Sequence, residues 1–382
     1  MNNVMIVSAA RTPFGAFGGQ LKDLSEQQLG ASMMLEAVQR AGIDPEKIDE
    51  VIVGTAKQTS KPSNCGRHAM LVARLPEKVP AYTVQRNSAS GLQAIVNGYW
   101  AIKSGDAGVI LAGGTESMSQ IPFEIRNARY EFTEKQREIV DAIPAQEVGA
   151  QPVEKYGVVT MAQVAENLAK KYRLSDEEQI NYSSISRERA KIAVESGQIN
   201  EEIGEVVLKK GKKEEKISKD ELTNAQDLLA KPADAAAMCL LASPEKVREL
   251  SLPCLGQILS VGIAAGDPRY TGLGIVEASR IALKKANLAL ADIDVIELNE
   301  ISAAQCLAIF REWQGWGVNP DELVQKVNPN GGALATGNPW GAMGAVLFTK
   351  LIFELRRREA KKGLVALAAE GGQGMALIVQ KV

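Results

Sequence analysis

A single histidine, His68, stands in the 382 residues of this chain. Any Ser–His or Cys–His catalysis must run through that one ring, and a metal site built on several histidines is excluded. Cys65 precedes it by three residues in SNCGRHAMLVARL, a spacing that on a helix makes the thiol and the imidazole neighbours. The pair reads as a reactive couple, as half of a metal site, or simply as part of a packed helix. Cys239 and Cys254 sit among apolar residues and read as core thiols. With Cys306 they make four cysteines without a CxxC pair, the usage of a reduced, cytoplasmic protein. GLGIVE at 272–277 and GGQGMA at 371–376 are rich in glycine, but neither completes a dinucleotide-binding fingerprint, and Asp267-Pro268-Arg269-Tyr270 before the first is not a strand.

The elements that must position such groups are those of an α/β protein. Val4 to Ala9 read as a buried strand, and IDEVIVG at 48–54 as another. Between them Ser25 and Gln28 have capping-box spacing, Leu29, Met33, Met34, Ala37, Val38 and Ala41 form a helical apolar stripe, and Gly42 is a natural stop. Lys and Arg number 44 against 46 Asp and Glu, a net charge of −2 that offers no general attraction for nucleic acid or an anionic membrane. No apolar run approaches the ~18 residues of a membrane span, and the N-terminus lacks the layout of a signal peptide.

The helix–strand unit recurs. LGASMMLEAVQRAGIDPEKIDEVIVGTA at 29–56 resembles LGIVEASRIALKKANLALADIDVIELNE at 273–300, and GDAGVILAGGTESMS at 105–119 parallels KKGLVALAAEGGQGMALI at 361–378. A duplicated α/β unit accounts for both. The stretch between the halves, 118–234, is more charged and mainly helical, and its KKGKKEEK run at 209–216 reads as a solvated turn. The expected division is an N-terminal half at 1–117 completed by about 235–258, an inserted domain at 118–234, and a C-terminal half at 259–382.

Seven motifs carry a family resemblance across nearly the whole chain: RTPFGAFGG (11–19), VQRNSASGLQAI (84–95), AGGTESMS (112–119), MAQVAENLAKKY (161–172), ELNEISAAQ (297–305), VNPNGGALATGNPWGA (327–342) and GGQGMALIV (371–379). In this order they resemble the thiolases, CoA-dependent acyltransferases that make or break a carbon–carbon bond beside a thioester. The resemblance implies a five-layered α/β/α/β/α fold built from two duplicated halves with an inserted loop domain. It also implies a homodimer or tetramer paired through the N-terminal half. Its ligand would be CoA or an acyl-CoA, with no other cofactor and no metal.

The same resemblance locates the chemistry, and there the chain departs from the family. The position of the acyl-accepting cysteine, at a helix N-terminus that favours an anion, holds Ser88. The family's basic histidine lies in Gly-His-Pro; here the motif is Gly337-Asn338-Pro339, and an amide takes up no proton at neutral pH. The second acid/base cysteine is matched by Ala368, and the glycine two residues on by Glu370. Asn299, which in the family helps hold a water at one oxyanion site, is kept. Asn87, Ala89 and Trp340 also depart from the pattern, which reads as divergence rather than one inactivating change. Finally, the stretch that in the family helps hold the pantetheine arm is missing before Asp234-Ala235-Ala236-Ala237.

With nucleophile and both proton carriers replaced, carbon–carbon chemistry is expected to be lost. Glu370, if charged and facing the pocket, would repel a developing oxyanion. It reads either as a structural partner of Ser88 or Asn338 or as a new base for Ser88. The leading expectation is a non-condensing thiolase-like protein, a structural or regulatory subunit of an acyl-CoA-processing assembly, paired with an active thiolase or another acyl-CoA enzyme. The alternatives are an acyl-CoA acyltransferase with altered chemistry at Ser88, or with groups lent by a partner chain, and a non-catalytic acyl-CoA binding protein.

Overall fold

The computed structural model describes residues 3–126, 129, 138–211, 213–223 and 227–382. The first half runs β1 (Val4–Arg11), β2 (Gly15–Ala16), α1 (Glu26–Ala41), β3 (Glu50–Gly54), α2 (Cys65–Val72), β4 (Ala81–Val84), α3 (Ser90–Ser104) and β5 (Val109–Ser117). A long excursion follows: β6 (Phe123–Arg126), β7 (Glu138–Asp141), α4 (Ala142–Gly149), α5 (Val153–Tyr156), α6 (Met161–Tyr172), α7 (Asp176–Ser196), β8 (Val206–Lys210) and β9 (Lys213–Ile217). The chain then returns through β10 (Ala233–Ala242) and α8 (Pro244–Glu249). The second half is β11 (Gly256–Ala265), α9 (Gly274–Ala286), β12 (Val295–Leu298), α10 (Ala303–Gln314), α11 (Pro320–Lys326), α12 (Ala333–Thr336), α13 (Trp340–Arg357), β13 (Lys362–Ala369) and β14 (Gln373–Gln380).

Ten strands form one hydrogen-bonded sheet in the order β12-β13-β14-β11-β1-β10-β5-β3-β4, with β2 beside β10. The halves meet where β1 and β11 pair antiparallel through Val4↔Ile258, Met5↔Gln257 and Ile6↔Gly256. On either side of that seam the pattern repeats: β3 runs parallel to β5, β5 antiparallel to β10, and β10 antiparallel to β1. Likewise β12 runs parallel to β13, β13 antiparallel to β14, and β14 antiparallel to β11. This is the duplication that the sequence repeats predict, α1–β3 answering to α9–β12 and β5 to β13.

Three apolar clusters stack these strands into five layers. Outside the first half, α1 and α2 bury Leu29, Met33, Met34 and Met70 against Val51, Val53, Leu111 and Leu240. Between the halves, α3 and α13 are apolar over most of their surface, because both faces are covered; Leu92, Val96, Val346, Phe348 and Leu351 are fully buried there. Outside the second half, α9 and α10 bury Ile275, Ala282, Cys306 and Trp313. Helix ends follow from local chemistry. Ser25 N–H donates to Gln28 Oε1 at 3.0 Å at the start of α1, and Gly42, with φ 62°, ends it in the left-handed region.

Some local expectations shift. The second strand starts at Glu50 rather than Ile48, because Pro45–Lys47 form a 3₁₀ turn capped by Asp44. The excursion is not helical throughout: β6–β7 and β8–β9 are two antiparallel hairpins, the second turning at Gly211 inside the KKGKKEEK run. Residues 212 and 224–226, which belong to stretches read above, lie outside the described residues. Among the described residues no helix is long and apolar enough to cross a membrane.

Candidate active site

Ser88 stands on the tight turn that leads from β4 into α3, two residues before the helix begins. Asn87 takes a positive φ of 46°, and Ser90 Oγ ties the turn by accepting from Arg86 N–H (2.8 Å) and donating to Asn87 O (2.6 Å). The helix N-terminus behind it favours negative charge at the serine oxygen. Gly371 and Gly372, at φ 83° and 80°, turn the chain just after β13 and bring Glu370 over that helix start. A side chain at either glycine would be strained in this region.

Ser88 and Glu370 engage each other twice. Ser88 Oγ–H donates to Glu370 Oε1 at 2.6 Å, and Ser88 N–H donates to Glu370 Oε2 at 3.1 Å. Ser88 is 1% exposed and Glu370 is 4% exposed, so the contact is shielded from bulk water. A carboxylate accepting from both donors fits this geometry. Of the two structural partners anticipated for Glu370, Ser88 is therefore the one it bonds. A cost comes with this arrangement: the Ser88 N–H, which would serve an oxyanion, is held by a carboxylate at rest.

Asn338 follows Gly337, whose φ of 82° places it at the end of α12. Its N–H donates to Lys231 O at 2.7 Å, and its Oδ1 is buried with no hydrogen-bond partner. Asn299 follows β12 and is fully buried; its N–H donates to Ala366 O at 2.9 Å, while neither Oδ1 nor Nδ2 has a protein partner. Buried amide atoms are nearly always satisfied, so these three stand out from the rest of the core. The neighbouring Glu300 is the opposite case. It accepts from Tyr182 Oη (2.9 Å), Ser186 Oγ (2.7 Å), Asn328 Nδ2 (2.8 Å) and Leu334 N–H (3.1 Å), which pins the loop carrying Asn338. Ala368 lies in β13 inside the apolar cluster with Cys306 and Ala376, and it does not line the cavity described next.

A cavity of about 230 Å³ opens on Asn338 and Glu370. Its other walls come from the excursion and from the returning chain, among them Glu147, Met161, Leu229 and Pro232, with Trp340 from α13. Leu229–Pro232 lie just before Asp234, where the sequence lacks the family's pantetheine-holding stretch, and are fixed by Ala230 N–H to Ile301 O at 3.0 Å. Glu147 accepts from Met161 N–H at 3.1 Å. Burial, with the nearby charge of Glu370 adding to it, pushes the Glu147 carboxyl above its usual range.

The Cys65–His68 pairing dissolves. Both residues are on α2, capped by Asn64, but Cys65 is buried while His68 faces solvent. Cys65 meets Glu26 instead, and burial together with the charges of Glu26 and Glu116 raises its thiol well above the ordinary value. Among the described residues no cluster of His, Cys, Asp and Glu could hold a metal ion. Nothing in the local sequence pattern of Glu147, Glu26 or Glu116 tells a buried carboxylate from an exposed one.

A serine at a helix start and a carboxylate over it thus lie between two duplicated α/β halves, an architecture that comparison with known proteins identifies. The thiolase N-terminal domain model matches residues 4–233 and the thiolase C-terminal domain model residues 252–381, so the chain belongs to the thiolase family. It is 39% identical to an acetyl-CoA acetyltransferase of Syntrophomonas wolfei, covering 99% of this chain and 98% of the relative. It is 36% identical to one of Cupriavidus necator over the whole of both. The crystal structure of the Bacillus anthracis acetyl-CoA acetyltransferase superposes with a TM-score of 0.93 at 34% identity, covering 100% of this chain and 99% of that one. Human mitochondrial 3-ketoacyl-CoA thiolase superposes with a TM-score of 0.91, also at 34% identity.

Proposed function

We propose that this protein is an acyl-CoA-dependent acyltransferase in which Ser88 carries the acyl group and Glu370 moves its proton. The observation that carries this reading is the 2.6 Å hydrogen bond from Ser88 Oγ to Glu370 Oε1. Ser88 Oγ attacks the thioester carbonyl as its proton passes to Glu370, and the departing CoA sulfur takes that proton back. Protonation neutralises Glu370, which weakens its hold on the Ser88 N–H and frees that donor for the developing oxyanion. The start of α3 stabilises the same charge. No group at position 338 or 368 can take a proton from an acyl α-carbon, so the carbon–carbon step of the family is absent from this reading.

The names of the relatives support an acetyl or other short acyl donor, as does the cavity, smaller than the ~300 Å³ at which ordinary ligand pockets begin. A purely structural subunit would need neither an aligned Ser–carboxylate pair nor a cavity lined by the same carboxylate, and that favours the enzyme. The test is intact mass after incubation with acetyl-CoA, with peptide mapping of the adduct. One acetyl group on Ser88, absent in Ser88→Ala, is expected. An unmodified protein across the pH range would return the chain to the non-catalytic subunit reading.

A further inference from the structure

The cavity lined by Glu370, the carboxylate that Ser88 bonds, is charged in one sense only. Glu147 and Glu370 both line it, and among the described residues no lysine, arginine or histidine does. Among the described residues neither carboxylate is neutralised by a salt bridge. Asn338, 6% exposed and on the same wall, adds an amide oxygen with no partner. Trp340 supplies an indole, the aromatic group to which a cation is most attracted. Two carboxylates without a counter-ion and an orphan amide acceptor in one small space suit a ligand that brings donors and positive charge.

We propose that this cavity takes a small primary amine as its ammonium ion, and that the amine is the acyl acceptor, so that the product is an amide. This rests on the acyl-Ser88 reading for the transfer step, though not for binding. It completes that reading, because an acyl group on Ser88 still needs an acceptor. The step balances as follows. Glu147 takes one proton from the ammonium, and the neutral nitrogen attacks the acyl carbonyl on Ser88. The C–N bond forms and the C–Oγ bond breaks; the second nitrogen proton passes through Glu370 to Ser88 Oγ, and Glu147 releases its own to solvent. The elevated proton affinity that burial gives Glu147 suits it to this exchange. A thiolate acceptor would meet two like charges and be repelled.

Propylamine and its neutral analogue propan-1-ol, each at millimolar concentration, are the probes. The protein is first loaded with acetyl-CoA, and loss of acetyl from Ser88 is followed by mass. Propylamine is expected to speed that loss and yield N-propylacetamide, propan-1-ol to leave it at the rate in water, and Glu147→Gln to slow the amine-dependent loss by roughly 10²-fold. Equal decay with amine, alcohol and water would overturn the amine acceptor while leaving acylation of Ser88 intact. If Ser88 never acylates, the function reading fails, and calorimetry with propylammonium alone decides the cavity. Heat that Glu147→Gln abolishes upholds the ammonium site, and no heat overturns it.

Discussion

Two buried carboxylates occupy comparable places in the two halves and have opposite surroundings. Glu116 lies near the end of β5 and is wholly buried; Glu370 follows the end of β13 and is nearly so. Glu116 accepts from Ala56 N–H (2.7 Å), Lys57 N–H (3.3 Å), Thr55 Oγ (3.0 Å) and Gly341 N–H (2.8 Å). Three of those four donors are backbone, so it fastens the 55–57 loop to the first turn of α13. Among the described residues Glu370 has only Ser88 as a close donor on its side chain, and it also lines a cavity. A carboxylate saturated by fixed donors is a structural clamp. One whose partner is a hydroxyl, with space for a third group, is able to move a proton.

The sharpest way to break this contrast is to make each carboxylate an amide. Glu370→Gln keeps the volume but removes the proton acceptor, so the rate of Ser88 acylation by acetyl-CoA should fall by about 10²–10⁴-fold, with little change in urea midpoint. Glu116→Gln should do the reverse. Its NH₂ would oppose donors that now point at an oxygen, and leaving buried donors unpaired costs about 1–3 kcal/mol. We expect a lower urea midpoint at unchanged slope, and acylation per folded molecule within about twofold of the parent. Equal losses of rate in both variants would erase the distinction between clamp and reagent.

How much of this was legible in the sequence follows the same division. The fold was, because a duplicated helix–strand unit and ordered motifs report backbone demands that local chemistry encodes. Ser88, Asn338, Asn299, Ala368 and Glu370 could be placed by counting within motifs. What Glu370 bonds to could not, since it depends on how β13's exit loop lies over α3, 282 residues away in the chain. Glu147 was invisible for a related reason. It sits in the excursion, in a helix with no motif of its own, and only the packing of that helix against Trp340 and Leu229 makes it a cavity wall. Cys65 and His68 show the converse failure: spacing made them neighbours, while burial sent one inward and left the other in water.

The smallest expected effect concerns the clamp itself. Glu116 lies near Glu26, the first residue of α1, which is 9% exposed and has Oε1 buried without a partner. Burial, then the charge of Glu116, pushes the Glu26 carboxyl up to about 8; burial pushes Glu116 up to about 7 against the pull of its donors. Both lie above the ~4.3 of an unfolded glutamate, so between those values the folded state binds more protons than the unfolded one. Stability must then fall as pH rises, because the slope follows protons bound unfolded minus protons bound folded. The contribution is fully present below about pH 4.3 and lost as pH rises through 7 to 8, at a rate up to ~1.4 kcal/mol per pH unit for each proton retained. Glu26→Gln removes the like charge and one titrating group, so its urea midpoint should depend less on pH between 5.5 and 8 than the parent's. Parallel curves for the two proteins would mean that Glu26 is charged and solvated throughout.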